Sequence, residues 1–421
     1  LRDVGNCYAR IMSQTTRILA ALIAGLAIGI VGARLGWDAL AAAAAPIGAL
    51  WLDALRMTIV PLVIALLVTG IARTADSARG GRLALRSVIL FVTLLGASTI
   101  IAAFLVPLLL RLWPMPAKAA AGLNMALGQM VRTTGAVPGL ADFLQSIVPT
   151  NPFAAAAGDA MLPLILFVML FAIATTRLAP DAREKITGLF GAIEQAMLVI
   201  VNWVLWIAPL GIFALALVVG MKAGTAALGA LGHYIAIVSC AGLAAWVMAY
   251  PIAIFGGGVK LLDFVRAVAP AQAVAISTQS SLASLPAMLK SSERMGIAAE
   301  VAGVPLSIAV AIFRVTSPAM NLAVAIYVAH WLGIELSAGA IAAGAVVAWV
   351  TTLGSVSLPG QVSFLTSITP IALAMGVPLE PLALLLAVEM IPDLVRTVGN
   401  VTMDVAATTA VARWRSKPVS S

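Results

Sequence analysis

The chain has 421 residues, of which 62% are hydrophobic and only 10% charged. Soluble domains carry about 25% charged residues, so this composition excludes an ordinary soluble domain. The formal net charge of +8 does not point to nucleic acid, because the basic residues cluster in short loops beside apolar runs, as in ARTADSARGGRLALR (72–86), RLAPDAREK (177–185) and RWRSK (413–417).

Runs such as ILAALIAGLAIGIVGA (18–33) and YIAIVSCAGLAAWVMAYPIAIFGGG (234–258) suit membrane crossing, which takes about 20 apolar residues. In chain order, the pattern predicts spans near 17–34, 48–72, 85–110, 140–176 (interrupted), 187–217 and 228–256. A broken segment follows at 262–290, then a span at 297–331, a second broken segment at 340–376 and a last span at 380–412. Cys7 precedes the first span and Cys240 lies inside one, which suggests neither a disulfide framework nor a metal cluster. His233 and His330 stand singly near span ends and read as interfacial or packing residues.

The two broken segments share one grammar. Each has an apolar arm, a small polar tip and a second apolar arm, each arm too short to span alone. The tips read SSLASLP (280–286) and GSVSLPG (354–360). Non-helical backbone at membrane depth survives only inside protein or beside water, because hydrocarbon satisfies no free N–H or C=O group. Two such segments, each followed by a full span, predict re-entrant hairpins in an inverted-repeat transporter. The competing reading is a pair of ordinary kinked helices. The basic loops are assigned to the cytoplasm, which places both termini inside. The first hairpin, flanked by Lys260, Arg266 and Lys290, then enters from the cytoplasm, and the second from outside.

Chemistry concentrates in VEMIPDLVRTVGNVTMDVA (388–406), which carries Glu389, Asp393, Arg396, Asn400 and Asp404. At about 100° per residue of helix, these five fall within about 80° of one another. Ionisable residues inside a span are costly and by default mark a functional site. A guanidinium offers a planar fork for a carboxylate. Arg396 beside Asp393 therefore suits a zwitterion with an extra acid group. Thr397 and Asn400 add neutral hydrogen-bonding groups, and Asp404 adds a hard oxygen ligand of the kind small cations prefer. Gly354 and Gly360 would let the second tip bend, although helix packing explains such glycines as well. A purely structural salt-bridge latch is the alternative for the stripe.

Five landmarks stand in order: LRMTIVPLV (55–63), IVPTNPFAA (147–155), VNWVLWIAPLGIFAL (201–215), STQSSLASLP (277–286) and DLVRTVGNVTMDVA (393–406). Through them the chain resembles, over nearly its whole length, the dicarboxylate/amino acid:cation symporter family, the glutamate transporter family. The resemblance implies an all-α polytopic fold of eight transmembrane helices plus two re-entrant helical hairpins, built as inverted repeats. It also implies a homotrimer working as an elevator. Residues 10–84 and 138–220 would be mainly scaffold; 85–115 and 225–415 would be mainly transport domain, with hairpin 1 at 260–291 and hairpin 2 at 338–375.

Residue by residue, the resemblance implies that Arg396 binds the substrate side-chain carboxylate and Asp393 its amino group. Thr397 and Asn400 would add contacts, and Ser280 and Ser281 would hold the main carboxylate. Ser317, Gly354, Ser355 and Pro359 complete the expected substrate site. Asp404 matches the carboxylate of a sodium site.

The sequence also departs from the family. The Asn-Met-Asp-Gly-Thr motif usual in the seventh span is absent from PLSIAVAIFRVTSPAMNLAVAIYVAHWLG (305–333). Aligned on YVAHWLG, the motif is replaced by Phe313-Arg314-Val315-Thr316-Ser317, and aligning on Pro305 moves this by two residues. In the third span an expected Tyr and Thr-Ser pair reads Leu90, Thr93 and Leu94. The expectation is partial loss of sodium coupling, with Arg314 as a fixed positive charge and Glu389 or Asp404 as proton carrier. Thr93, Asn400 and Asp404 are the remaining candidate ion ligands.

The resulting expectation is a multi-pass symporter of the plasma (inner) membrane for aspartate, glutamate or a C4-dicarboxylate, driven by Na+ or H+ and without another cofactor. The alternatives are an anion-conducting, channel-like protein and a carrier for neutral or other organic acids. An intramembrane enzyme is disfavoured, because the tip serines have no His or Lys companion.

Overall fold

The computed structural model of the protein describes residues 2–115, 148–158, 160–354 and 360–416, with side chains except at 2–15, 226, 360–362 and 414–416. Among these residues all regular structure is helical. Seven stretches are long and apolar enough to cross a membrane: Thr16–Leu35, Asp38–Ala78, Arg82–Leu112, Pro180–Trp206, Ala227–Gly256, Leu261–Thr278 and Ala299–Trp331.

Two expected spans fall outside that set, for different reasons. For the fourth, residues 140–147 lie outside the described part, and the helices α5 (Pro152–Ala157) and α6 (Met161–Thr175) that follow are short. Asn151 starts the first of them, its side chain accepting from the Phe153 and Ala154 N–H groups. The last helix has 27 residues but carries Asp393, Arg396, Asp404 and Arg413, so it is too polar for a lipid-facing span and is buried instead.

The N-terminal helices are α1 (Arg2–Leu35), α2 (Asp38–Arg56), α3 (Ile59–Ala78) and α4 (Arg82–Leu112). Beyond α6 come α7 (Pro180–Trp206), α8 (Ala208–Ala223) and α9 (Ala226–Val247), the last continued by a π-helical turn at Ile252–Gly256. α1 lies along α8. A Cβ on Gly29 would strike the Leu217 carbonyl and Gly220, so small residues set this close approach. Trp51 of α2 donates its indole N–H to the Val204 carbonyl of α7 at 3.0 Å. Buried Glu194 on α7 accepts from Arg73 and Thr69 of α3 at 2.9 and 2.7 Å, which neutralises its charge.

The first predicted hairpin is an antiparallel pair, α10 (Leu261–Thr278) and α11 (Ser281–Arg294), whose arms pack on each other. The reversal is made by Gln279, at φ 49° the one non-glycine positive φ among the described residues. Ser280 then caps α11, its hydroxyl accepting from the Ala283 N–H at 3.2 Å. α10 is longer than expected. Its 18 residues reach about 27 Å at 1.5 Å per residue, close to a hydrocarbon core of about 30 Å. Only the 14-residue arm α11 is clearly short.

The second pair is α14 (Ala338–Gly354) and α15 (Gly360–Ala374), again packed on each other. Its tip, including Ser355 and Pro359, lies outside the described residues. Each hairpin is followed by an interrupted helix. α12 (Ala299–Ile312) and α13 (Thr316–Trp331) are separated by residues 313–315, and α16 (Glu380–Leu386) and α17 (Met390–Ser416) by residues 387–389. The sequence pattern predicts a full span after each hairpin; the structure interrupts both, at 313–315 and at 387–389.

α17 occupies the middle of the second half, touching α4, α9, α10, α11, α12 and α13. Every residue from Val398 to Val411 with a side-chain environment described is buried, apolar or not. α14 docks on α3, where Gly70 and Gly354 meet so closely that a Cβ on either would clash with the other helix's backbone. At this position helix packing, rather than bending, accounts for Gly354.

Candidate functional site

The interruption at 313–315 exposes backbone N–H and C=O groups inside protein, and these need partners. Asn400 of α17 supplies one, its Oδ1 accepting from the Thr316 N–H at 3.0 Å and from the Thr316 hydroxyl at 2.8 Å. Thr316 sits close to the Arg396 backbone as well, with Oγ1 2.9 Å from that carbonyl. Broken helix and polar stripe are thereby locked together one turn from Arg396.

Arg396 is 8% exposed and surrounded by oxygen. Its Nη2 donates to Glu389 Oε1 at 2.5 Å and its Nη1 to Asn321 Oδ1 at 2.8 Å. Its Nε faces Asp393 Oδ1 at 3.3 Å. Glu389 is 3% exposed, and its second oxygen accepts from the Tyr234 hydroxyl at 3.2 Å. Behind it, the Tyr234 and Tyr327 rings pack edge to face at 5.3 Å, and His233 bridges the Tyr327 hydroxyl and the Trp113 carbonyl at 3.0 and 2.9 Å. His233 is thus a packing and hydrogen-bonding residue, as its isolated place in the sequence suggests.

The stripe is less uniform than a continuous helix would make it. Glu389 lies in the turn before α17, so helical steps do not set its direction. Thr397 spends its hydroxyl on the Asp393 carbonyl of its own helix, at 2.9 Å. Asp404, two turns beyond Arg396, is 1% exposed, and neither carboxylate oxygen has a hydrogen-bond partner among the described residues. Arg314, in the 313–315 interruption, is half-buried and within electrostatic reach of both Asp404 and Asp393. It forms no ion pair or hydrogen bond with either. Ser317 is buried just after it, its N–H donating to the Arg314 carbonyl at 3.0 Å.

The remaining expected site residues lie differently. Ser280 uses its hydroxyl as a helix cap, while Ser281 is half-buried beside it. Thr93 is exposed on α4, and its hydroxyl donates to the Ile89 carbonyl at 2.8 Å, so the structure does not bring it into the cluster. Phe91 fills the inward face there, stacked on Phe313 with ring centroids 4.3 Å apart. Of that pair, Phe313 stands at the first position aligned with the missing motif, where an oxygen-bearing Asn was expected.

Sequence reasoning missed Asn321 and Tyr234, the neutral partners of Arg396 and Glu389. Each is a polar residue in an otherwise apolar helix, which is the signal that would have found them. It also missed Arg56 of α2, whose Nη2 pairs with buried Glu380 of α16 at 2.8 Å. Arg56 lines a cleft between α2–α3 and α15–α16, together with Leu55, Thr366, Thr369 and Leu382. That cleft is separate from the Arg396 cluster.

Comparison with known proteins gives a consistent picture. The family described as the sodium:dicarboxylate symporter family matches residues 15–414. The proton/glutamate-aspartate symporter of Escherichia coli (strain K12) is 28% identical over 382 residues, covering 88% of this chain and 85% of that protein. The proton/sodium-glutamate symport protein of Bacillus subtilis (strain 168) is 28% identical over 412 residues, 95% of this chain and 92% of its own. C4-dicarboxylate transport protein 1 of Pseudomonas aeruginosa (strain UCBPP-PA14) is 26% identical over 413 residues, 95% and 88%.

Proposed function

The chain belongs to the sodium:dicarboxylate symporter family, and we propose that it carries an acidic amino acid or a C4-dicarboxylate whose carboxylate docks on Arg396. One observation carries this reading: a buried guanidinium whose three nitrogens all face side-chain oxygens, at the junction of α13 with the α16–α17 interruption. The guanidinium's planar fork suits a carboxylate, and Glu389 already occupies it in that way, which supports a ligand carrying the same group. Asp393, the most exposed of the acids around Arg396, is placed to receive a substrate ammonium. With both groups present the preferred substrate is aspartate or glutamate. Arg314 beyond Asp393 offers a second positive charge and keeps a dicarboxylate open as the second reading.

For the coupling ion we infer a reduced dependence on sodium. The bare, buried Asp404 carboxylate suits a cation. Arg314 already supplies positive charge within its reach, however, and the Phe91–Phe313 stack adds no oxygen ligand. A second cation at Asp404 would meet that guanidinium's repulsion in a poorly screened interior.

The wider assembly follows the family. α1–α3 and α5–α8 form the scaffold of a homotrimer, and the hairpins with α12, α13, α16 and α17 form a moving transport domain. The protein resides in the plasma membrane with both termini cytoplasmic, on the distribution of basic loops.

A binding screen of aspartate, glutamate, succinate, malate and neutral amino acids on the purified protein, with and without sodium at two pH values, tests the reading. Binding confined to the acidic compounds supports it. Binding confined to neutral amino acids overturns it.

A further inference from the structure

Arg396 already holds a carboxylate, and that carboxylate belongs to the protein. Glu389 reaches it from the three-residue turn between α16 and α17, where the backbone is not part of either helix. Its Oε1 takes the Arg396 Nη2 at 2.5 Å, the tightest of that guanidinium's contacts. Its Oε2 is held by the Tyr234 hydroxyl of α9 at 3.2 Å. An Arg–carboxylate hydrogen bond in a site this dry is strong, and a substrate carboxylate needs the same donor.

We propose that Glu389 is a stand-in carboxylate for the substrate and the carrier of the coupling proton. This rests on the reading of Arg396 as the substrate's partner. In the empty site Glu389 is ionised and paired with Arg396. When substrate enters, its carboxylate replaces Glu389 on Nη2, and a proton from solvent adds to the freed Glu389 oxygen. One N–H···O contact is exchanged for another and one O–H bond forms. The local charge stays balanced, with Arg396+ against Glu389− before and against the substrate carboxylate after. Tyr234 keeps neutral Glu389 hydrogen-bonded once the substrate has displaced it from Arg396. On release the steps reverse, and the empty carrier returns without an unpaired cation, which a membrane interior penalises.

The surroundings assign the exchange to Glu389 rather than to its neighbours. The titratable and charged groups facing it are Tyr234 from α9 and Arg396 and Asp393 from α17, with Tyr327 of α13 behind Tyr234. Arg314, in the other interruption, is within electrostatic reach of Asp393 and Asp404, and Glu380 of α16 is engaged by Arg56. Asp393 contacts only Nε and Asn321 holds Nη1, so the donor open to exchange is the Nη2 that Glu389 occupies.

The bound form holds one more proton than the free form, so affinity falls as pH rises. Linkage of one proton weakens binding about tenfold per pH unit wherever Glu389 is ionised in the empty site. The test uses the full-length protein in detergent, with aspartate and succinate as probes. Affinity is measured across pH, and proton uptake on binding is read in weakly buffered solution. The wild type should take up close to one proton per substrate bound. Glu389→Gln should bind more tightly at neutral pH, lose that uptake and show a flat pH profile. Tyr234→Phe removes the hydrogen bond that holds neutral Glu389 but keeps the carboxylate, so binding should weaken while its pH slope persists. Substrate binding by the wild type without proton uptake overturns the proposal and leaves the role of Arg396 standing. The same holds if Glu389→Gln keeps the full pH slope. Binding of neither probe by the wild type overturns both.

Discussion

Arg314 and Glu389 occupy matching places in the two halves of the fold. Each lies in the three-residue interruption of the helix that follows a hairpin, Arg314 within 313–315 and Glu389 within 387–389. One break delivers a cation toward Asp404 and Asp393, and the other delivers an anion to Arg396. Irregular backbone lets a side chain leave the helical register, so both breaks bring charge to places that regular helices do not reach. The proposed substrate and coupling groups, Arg396, Asp393, Asp404 and Glu389, lie around these two breaks.

Arg396 is the residue on which the substrate assignment stands. Arg396→Ala should abolish detectable binding of aspartate, glutamate and succinate. Arg396→Lys keeps the charge but loses the fork, and should weaken binding by about 1.5–3 kcal/mol, the worth of a charged hydrogen bond. Equilibrium binding of the purified variants measures both, and undiminished affinity in the alanine variant would place the carboxylate elsewhere.

Arg314 should decide the response to sodium. Arg314→Met removes the positive charge within reach of Asp404 and leaves that carboxylate alone in a dry site. Uptake into proteoliposomes at fixed pH should then depend more strongly on sodium than in the wild type. Identical sodium curves for the two proteins would mean that Arg314 does not substitute for an ion.

Asn400 is expected to act on stability before it acts on substrate. Its side-chain oxygen is the acceptor for the Thr316 N–H at the start of α13. Asn400→Ala leaves that buried N–H orphaned, at a cost of about 1–3 kcal/mol. A lowered midpoint in thermal unfolding, in the absence of any ligand, checks this. An unchanged midpoint would show that the break is satisfied in another way.

The Arg56–Glu380 pair should respond asymmetrically. Glu380 is buried, whereas the Arg56 side chain is partly exposed and also lies 3.7 Å from Asp53. Arg56→Gln therefore strands a buried carboxylate and should lower the unfolding temperature more than Glu380→Gln, which leaves an arginine with solvent and Asp53 at hand. Equal losses, or the reverse order, would count against the pair as a buried lock between α2 and α16.

Much of this molecule follows from sequence alone. Long apolar runs dictate helices, because hydrocarbon accepts no unpaired backbone. Polar tips between apolar arms mark the hairpins, and the three- and four-residue steps from Asp393 to Asp404 mark the stripe on α17. Composition and periodicity act locally, and these features are local. Tertiary structure decided which groups those residues meet. Asn321 and Tyr234 reach Arg396 and Glu389 across 75 and 155 residues of sequence, from helices whose rotation depends on packing. Thr93 falls on the exposed face of α4 for the same reason: neighbouring helices fix which face turns inward. Helical periodicity places Glu389 in the stripe, but only the interruption before α17 frees it to occupy the Arg396 fork. A side chain's partner in a dry interior is set by where backbone stops being regular, and that is a property of the whole packed chain.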